Sequence, residues 1–201
     1  MITKLLYQGH GSLRLTAANG TVIYIDPFAG SGYDKPADMV LVTHQHDDHN
    51  QIDLITQKPG CKIISNEEAL LGGKHQTITS GDIVIEAVEA NNKNHDPTQC
   101  VGYIVTVDGI KIYFSGDTSK TKSMESFAKK KIDYFFFPCD GFYNMDMEEA
   151  AECASLVSAK VNIPIHMKPG ELFSRERAES FKGPNRLIVA AGEEIPLISA
   201  N

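Results

Sequence analysis

The sequence predicts a layered α/β domain, with sheets packed on each other and helices outside. Three observations carry this. Short β-branched runs bounded by turn residues fill the first half of the chain. Apolar residues at helical spacing come mostly later. The order then reads hairpins, mixed strands and helices, and finally strand–helix–strand–helix–strand, with no repeat, low-complexity segment or dividing linker. One domain over residues 1–201 follows.

Strands are expected at 4–7, 12–16, 21–26, 39–43, 62–65, 83–87, 101–107 and 110–115. Asn19-Gly20 and Asp108-Gly109 separate pairs of these runs and signal hairpins, because both positions tolerate positive φ. Ser65 or Asn66 can cap a short helix over 67–71. A longer helix over 146–159 starts at Asp146, with Glu149 three residues on. Met147, Ala150, Ala151, Ala154 and Val157 line its apolar face. A third helix over 174–181 stops at Gly183-Pro184.

Apolar residues form 42% of the chain and charged ones 22%, enough to bury a core. A net charge of −7 argues against a nucleic-acid binder, which needs a basic face for phosphates. No apolar run approaches the roughly 18–20 residues that span a bilayer, and no signal peptide is visible, so no membrane partner is expected. Cys61, Cys100, Cys139 and Cys153 are widely spaced without a Cys-x-x-Cys pair, which makes a reducing, cytoplasmic home the default.

The informative window is His44-Gln-His46-Asp-Asp48-His49, directly after the apolar strand Met39-Val-Leu-Val42. Side chains two apart on extended backbone share a side, so His44 and His46 converge. If the chain then turns into a helix, Asp48 and His49 swing toward a neighbouring point. Imidazole nitrogens and carboxylate oxygens suit Zn²⁺ or similar cations, and two such cations would lie about 3.5–4 Å apart. A solvated polar loop is the bland alternative, and loops rarely carry this pattern.

Further ligands must come from elsewhere. His95 stands in a loop between strands, and His166 ends the apolar run 161–165. Asp117 and Asp26 likewise close strands, where α/β folds gather their chemistry. His75, in Gly73-Lys-His75-Gln76, lacks such a setting and reads as a surface residue.

With these residues the chain resembles the metallo-β-lactamase superfamily of metal-dependent hydrolases. The matching parts are Asp26, the window 44–49, His95, Asp117 and His166. Gly9-His10-Gly-Ser12, Tyr24-Ile-Asp-Pro-Phe28, Phe114-Ser-Gly-Asp-Thr118 and Pro164-Ile-His166 are similar to the small bacterial and archaeal hydrolases related to L-ascorbate 6-phosphate lactonase. The match spans about residues 8–195, in islands. The resemblance implies a four-layer αβ/βα sandwich with two divalent metal ions, zinc or manganese foremost, at one edge. His44, His46 and His95 would hold the first ion, and Asp48, His49 and His166 the second. Asp117 would bridge them, Asp26 would orient the ligand loop, and His10 would lie near the site without being a ligand.

Two departures stand out. The stretch around His95 lacks the expected glycine-rich continuation. Cys139 replaces a small apolar residue, and as a buried thiol it is expected in the core rather than on a metal.

The implied chemistry is attack by metal-bound hydroxide on an ester, lactone or phosphodiester of a small molecule, with Asp48 orienting it or accepting the proton. Lys168 and Lys93, each two residues from a candidate ligand, could hold an anionic substrate at the pocket mouth, against the plainer reading of solvated lysines. Phe142, Tyr143 and Met145 could form an apolar wall, or simply pack in the core. The competing readings are mononuclear-iron thiol or persulfide redox chemistry, nucleic-acid processing and a non-catalytic metal-binding protein. The full second ligand set favours two metals and hydrolysis.

Overall fold

The computed structural model describes residues 1–199. The expected domain of 1–201 thus ends on two positions, 200 and 201, outside the described residues. Five strands open the chain: β1 (Lys4–Gly9), β2 (Ser12–Thr16), β3 (Val22–Ile25), β4 (Ala37–Leu41) and β5 (Gln57–Ile64). Six more follow: β6 (Thr77–Ser80), β7 (Ile83–Glu89), β8 (Val101–Val107), β9 (Ile110–Phe114), β10 (Tyr134–Pro138) and β11 (Val161–Ile165). The last, β12 (Glu194–Pro196), returns to pair with β1. One sheet has the order β12-β1-β2-β3-β4-β5 and the other β11-β10-β9-β8-β7-β6.

Both sheets are mixed, and in the same way. β1, β2 and β3 pair antiparallel, whereas β3, β4 and β5 run parallel. In the second sheet β6 to β9 alternate in direction, and β9, β10 and β11 run parallel. Two antiparallel steps restore direction, so β1 runs with β3 and β4, and β7 with β9, β10 and β11. The carboxyl ends of these strands therefore gather at one end of each sheet, where α/β folds place ligands.

The strands read as continuous apolar runs because both faces are covered. Ile23 and Ile25 point between the sheets with Phe114 and Phe136, while Val22 and Tyr24 pack outward with Val40 and Ile55. Phe135 and Phe137 face the opposite way from Phe136, against Phe127, Ala154 and Phe181. That outer layer contains α2 (Met147–Val157) and α3 (Arg175–Ser180). Asp146 Oδ1 caps α2 by accepting from the Glu148 and Glu149 amides, as its position predicts. Ser65 and Glu68 form a full capping box on the short α1 (Asn66–Ala69).

The sandwich is the expected one, with a thin layer outside the first sheet. There Tyr33 and the 3-10 turn Ile52–Leu54 take the place of a long helix. The helical turn considered after the window is also not made. His49 N donates to His46 O in a tight turn, and Gln51 N donates to Pro27 O, which draws the chain back along the sheet. Among the described residues no helix is long and apolar enough to cross a membrane, and the four cysteines are free.

Candidate metal centre

Every predicted site residue, ligand or supporting, emerges beyond the carboxyl end of one of these co-directional strands. His10 follows β1, Asp26 follows β3 and the window follows β4. His95 follows β7, Asp117 follows β9 and His166 follows β11. His10, Asp26 and His166 all adopt positive φ, at 53°, 46° and 43°, so the backbone turns sharply at each to aim its side chain. His166 N donates to His10 O at 2.9 Å, tying together loops of the two sheets.

Three groups of side chains place their ligand atoms within 4.8 Å of one another: His44, His46 and His95; His10, Asp48, His49 and His166; and His44, His49 and Asp117. Asp117 stands between the first two. Its Oδ1 lies 3.5 Å from His49 Nε2, and its Oδ2 lies 3.4 Å from His95 Nε2 and 3.5 Å from His166 Nε2. Two ligand atoms at about 2.0–2.1 Å from one tetrahedral ion would sit roughly 3.4 Å apart, so the spacing is that of a shared coordination sphere.

The outer nitrogens explain why the inner ones face the centre. His49 Nδ1 lies 2.8 Å from Asp26 Oδ2, and His95 Nδ1 lies 2.8 Å from Asn92 Oδ1. His166 Nδ1 is 3.3 Å from Asp140 Oδ2. Thr43 Oγ1 donates to Asp26 Oδ2 and so accepts from His44 Nδ1, 3.0 Å away. For His44, His49 and His95 these acceptors place the proton on Nδ1 and leave Nε2 a bare lone pair, whereas both ring nitrogens of His166 lack a hydrogen bond within the described residues. Accordingly, the buried Nε2 atoms of His49, His95 and His166 have no hydrogen-bond partner among the described residues. Buried polar atoms left unmatched are costly, and a cation among them would satisfy all three. The residues therefore fit bound metal.

Burial opposes charge on His49 and His166, but Asp117, joined by Asp26 at the first and by Asp140 and Asp48 at the second, raises the pKa of both, so the acids of the site call for positive charge. Burial, with His49 beside it, pushes His44 down to about 2, which keeps the ring neutral as ligation requires. Burial would raise the Asp117 carboxyl, but His166, His49 and His44 outweigh it and hold it well below the carboxylate range. Burial likewise opposes ionisation of Asp48, and the hydrogen bond from His10, with His166 and His49 close by, overcomes it. His10 Nε2 lies 3.0 Å from Asp48 Oδ2, so His10 enters the second group directly rather than merely lying near it.

Residues 4–166 match the family model for the β-lactamase superfamily domain, over most of the chain. The chain belongs to the β-lactamase superfamily. Its relatives include a metal-dependent hydrolase of Nitratidesulfovibrio vulgaris, 31% identical over 194 residues that cover 83% of this chain and 80% of the relative. One from Pyrococcus furiosus is 29% identical, covering 82% and 84%. Among solved structures, a candidate metal-dependent hydrolase of Parabacteroides distasonis superposes with a TM-score of 0.77 at 32% identity, over 92% of each chain. Igni18, a metallo hydrolase from Ignicoccus hospitalis, superposes at 0.80 and 22% identity over 98% and 99%, which supports the fold alone. This chain is thus a metal-dependent hydrolase of the superfamily.

In this superfamily member the remaining candidates lie apart from the ligands. Cys139 is buried in the outer core, its thiol donating to Ile165 O, and burial pushes it up to about 12. Lys168 is exposed and paired with Glu171. Lys93 lines an adjoining cavity of about 320 Å³ with Tyr143, Asn144, Asp146 and Glu149. His75 is exposed, as expected.

The sequence reading missed Asp140, Asn144, Asn92 and Thr43. Asp140 follows β10, and the strand-end rule that selected Asp117 would have found it. Asn144 and Asn92 carry no such signal.

Proposed function

We propose that the protein hydrolyses an ester, lactone or phosphodiester of a small molecule at a centre of two divalent cations, zinc or manganese. The position of Asp117 carries this reading: it touches histidines of both ligand groups, which suits one carboxylate bridging two ions. When bound, such ions lower the pKa of water from about 15.7 to about 7 and polarise the electrophile.

The chain's own residues supply position and proton handling. His44, His46 and His95 would hold one ion, and Asp48, His49 and His166 the other, with His10 fixing Asp48. Asp26 locks His49 and, through Thr43, His44, so one buried carboxylate sets two ligand rings. Asp140 and Asn92 do the same for His166 and His95. Asp48 is only partly buried and lines the open cleft with Tyr143, where its second oxygen can orient water or take its proton.

The test is elemental analysis of the purified protein followed by a screen of lactones, phosphodiesters and thioesters. Two divalent ions per chain with turnover of one class is the expected result. One iron per chain with oxygen uptake on a persulfide would replace the reading with redox chemistry.

A further inference from the structure

Two clefts open onto the ligand groups, with volumes of about 440 and 560 Å³, and share His46, Asn94 and His95. Their rim charges are acidic, Asp47 in the smaller and Glu67 and Asp96 in the larger. Among the described residues no Lys or Arg lines either cleft. Of the two lysines expected to greet an anion, Lys93 lines an adjoining cavity on the other side of Tyr143, with Asp146 and Glu149, and Lys168 is paired with Glu171.

The smaller cleft also has an aromatic wall. Tyr143 lines it while 46% exposed, and Phe142, 63% exposed, meets the Tyr143 ring edge-on at 4.7 Å. The backbone that carries the rings is pinned. Asp140 Oδ1 accepts from the Phe142 and Tyr143 amides at 2.7 and 2.6 Å, and Asn94 Nδ2 donates to Tyr143 O at 2.9 Å. Asp140 also faces His166, so the group that sets a ligand ring also fixes the aromatic wall. Rigid aromatic surface at the mouth of a cleft offers an apolar partner a large contact at little entropic cost.

We propose that the enzyme takes a substrate whose group beyond the scissile bond is uncharged, aromatic or aliphatic, and packs on Tyr143, while Asp47 in that cleft and Glu67 and Asp96 in the adjoining one disfavour negative charge on that group. This rests on the hydrolase reading above, taken here for a carboxylic ester or lactone. One water is consumed: its oxygen bonds to the acyl carbon, the acyl carbon–oxygen bond breaks, and the leaving oxygen takes a proton. The products are a carboxylic acid and an alcohol (one molecule carrying both, for a lactone). The acid ionises, and the same acidic rim that turns away anions then speeds its departure.

Calorimetry of the metal-loaded protein with three hydroxamic acids tests this without turnover. Benzohydroxamic acid binds about tenfold tighter than acetohydroxamic acid, and 4-carboxybenzohydroxamic acid about tenfold weaker than benzohydroxamic acid. Tyr143→Ala removes the gain from the ring and Tyr143→Phe retains it. Asp47→Asn shrinks the carboxylate penalty, as does raising the salt. Equal affinity for the carboxylate-bearing probe, or a Tyr143→Ala protein that binds benzohydroxamic acid undiminished, overturns the proposal. Failure to bind any of the three, with metal present, overturns the metal-centre reading first and this inference with it.

Discussion

Asn144 donates from Nδ2 to Asp117 Oδ2 at 3.0 Å, and with its other amide hydrogen to Asp140 Oδ2 at 2.8 Å. One buried amide thus spaces two carboxylates, the first between the ligand groups and the second behind His166. Replacing Asn144 with Ala should weaken metal binding by about 10–100-fold while the fold survives. Competition with a chromophoric chelator measures this, and an unchanged affinity removes Asn144 from the centre.

Asp117→Ala and His46→Ala should each lose bound metal and turnover together. Elemental analysis beside an activity assay reads both. Stripping the wild type with a chelator should lower its melting temperature, because ions that bind only the native state stabilise it. Full activity in either variant, or a melting temperature indifferent to chelator, contradicts the assigned roles.

Alkaline pH should unfold the protein by way of its thiols. Burial pushes Cys100, Cys139 and Cys153 up to about 12, whereas an unfolded thiol titrates near about 8.5. The raised folded values mean that their contribution is complete below about pH 8.5 and is lost as pH climbs toward 12. Buried Tyr7 and Tyr113, also raised by burial, act in the same direction. Melts at pH 8 and 10 should show the lower midpoint at pH 10, with a smaller gap in Cys153→Ala. A midpoint that rises with pH contradicts this.

Gly116 has φ +62°, and a Cβ there would lie 2.9 Å from Val101 O and 3.0 Å from Thr43 Cβ. Gly116→Ala should cost about 1–3 kcal/mol in urea denaturation. It should also weaken metal binding, since it presses on Thr43 and adjoins Asp117. Wild-type stability would show that the turn tolerates a side chain.

The central strands were legible in the sequence because burial leaves a pattern, and the candidate ligands stood out by residue type. The runs around Ile23, Val40, Tyr103 and Ile112 are apolar because both faces are covered. Asp108 and Gly109 take positive φ, at 50° and 76°, as their hairpin signal predicts. Edge strands left little trace. β5 begins at Gln57, five residues before its expected start, because its first half is largely exposed and includes Pro59 and Gly60. β6 and the three-residue β12 are edge strands that went unread for the same reason. The 3-10 segment Lys122–Lys130 was also missed, since it buries only Met124 and Phe127, three apart, which is the repeat of a 3-10 turn rather than an α-helix. Within the site, the acids and histidines announced themselves by type, whereas Asn92 and Asn144 act through where they point.

The backbone bond from His166 to His10 has a consequence for biosynthesis. It stitches a loop of the first sheet to one of the second far along the chain, and the candidate ligands fall in two blocks, those at 10–49 beside the first sheet and those at 95–166 beside the second. A growing chain still short of residue 166 already owns His44, His46 and His95 but lacks one member of the group His10, Asp48, His49 and His166. The second group therefore closes later than the first, once the strand that ends at Ile165 has docked.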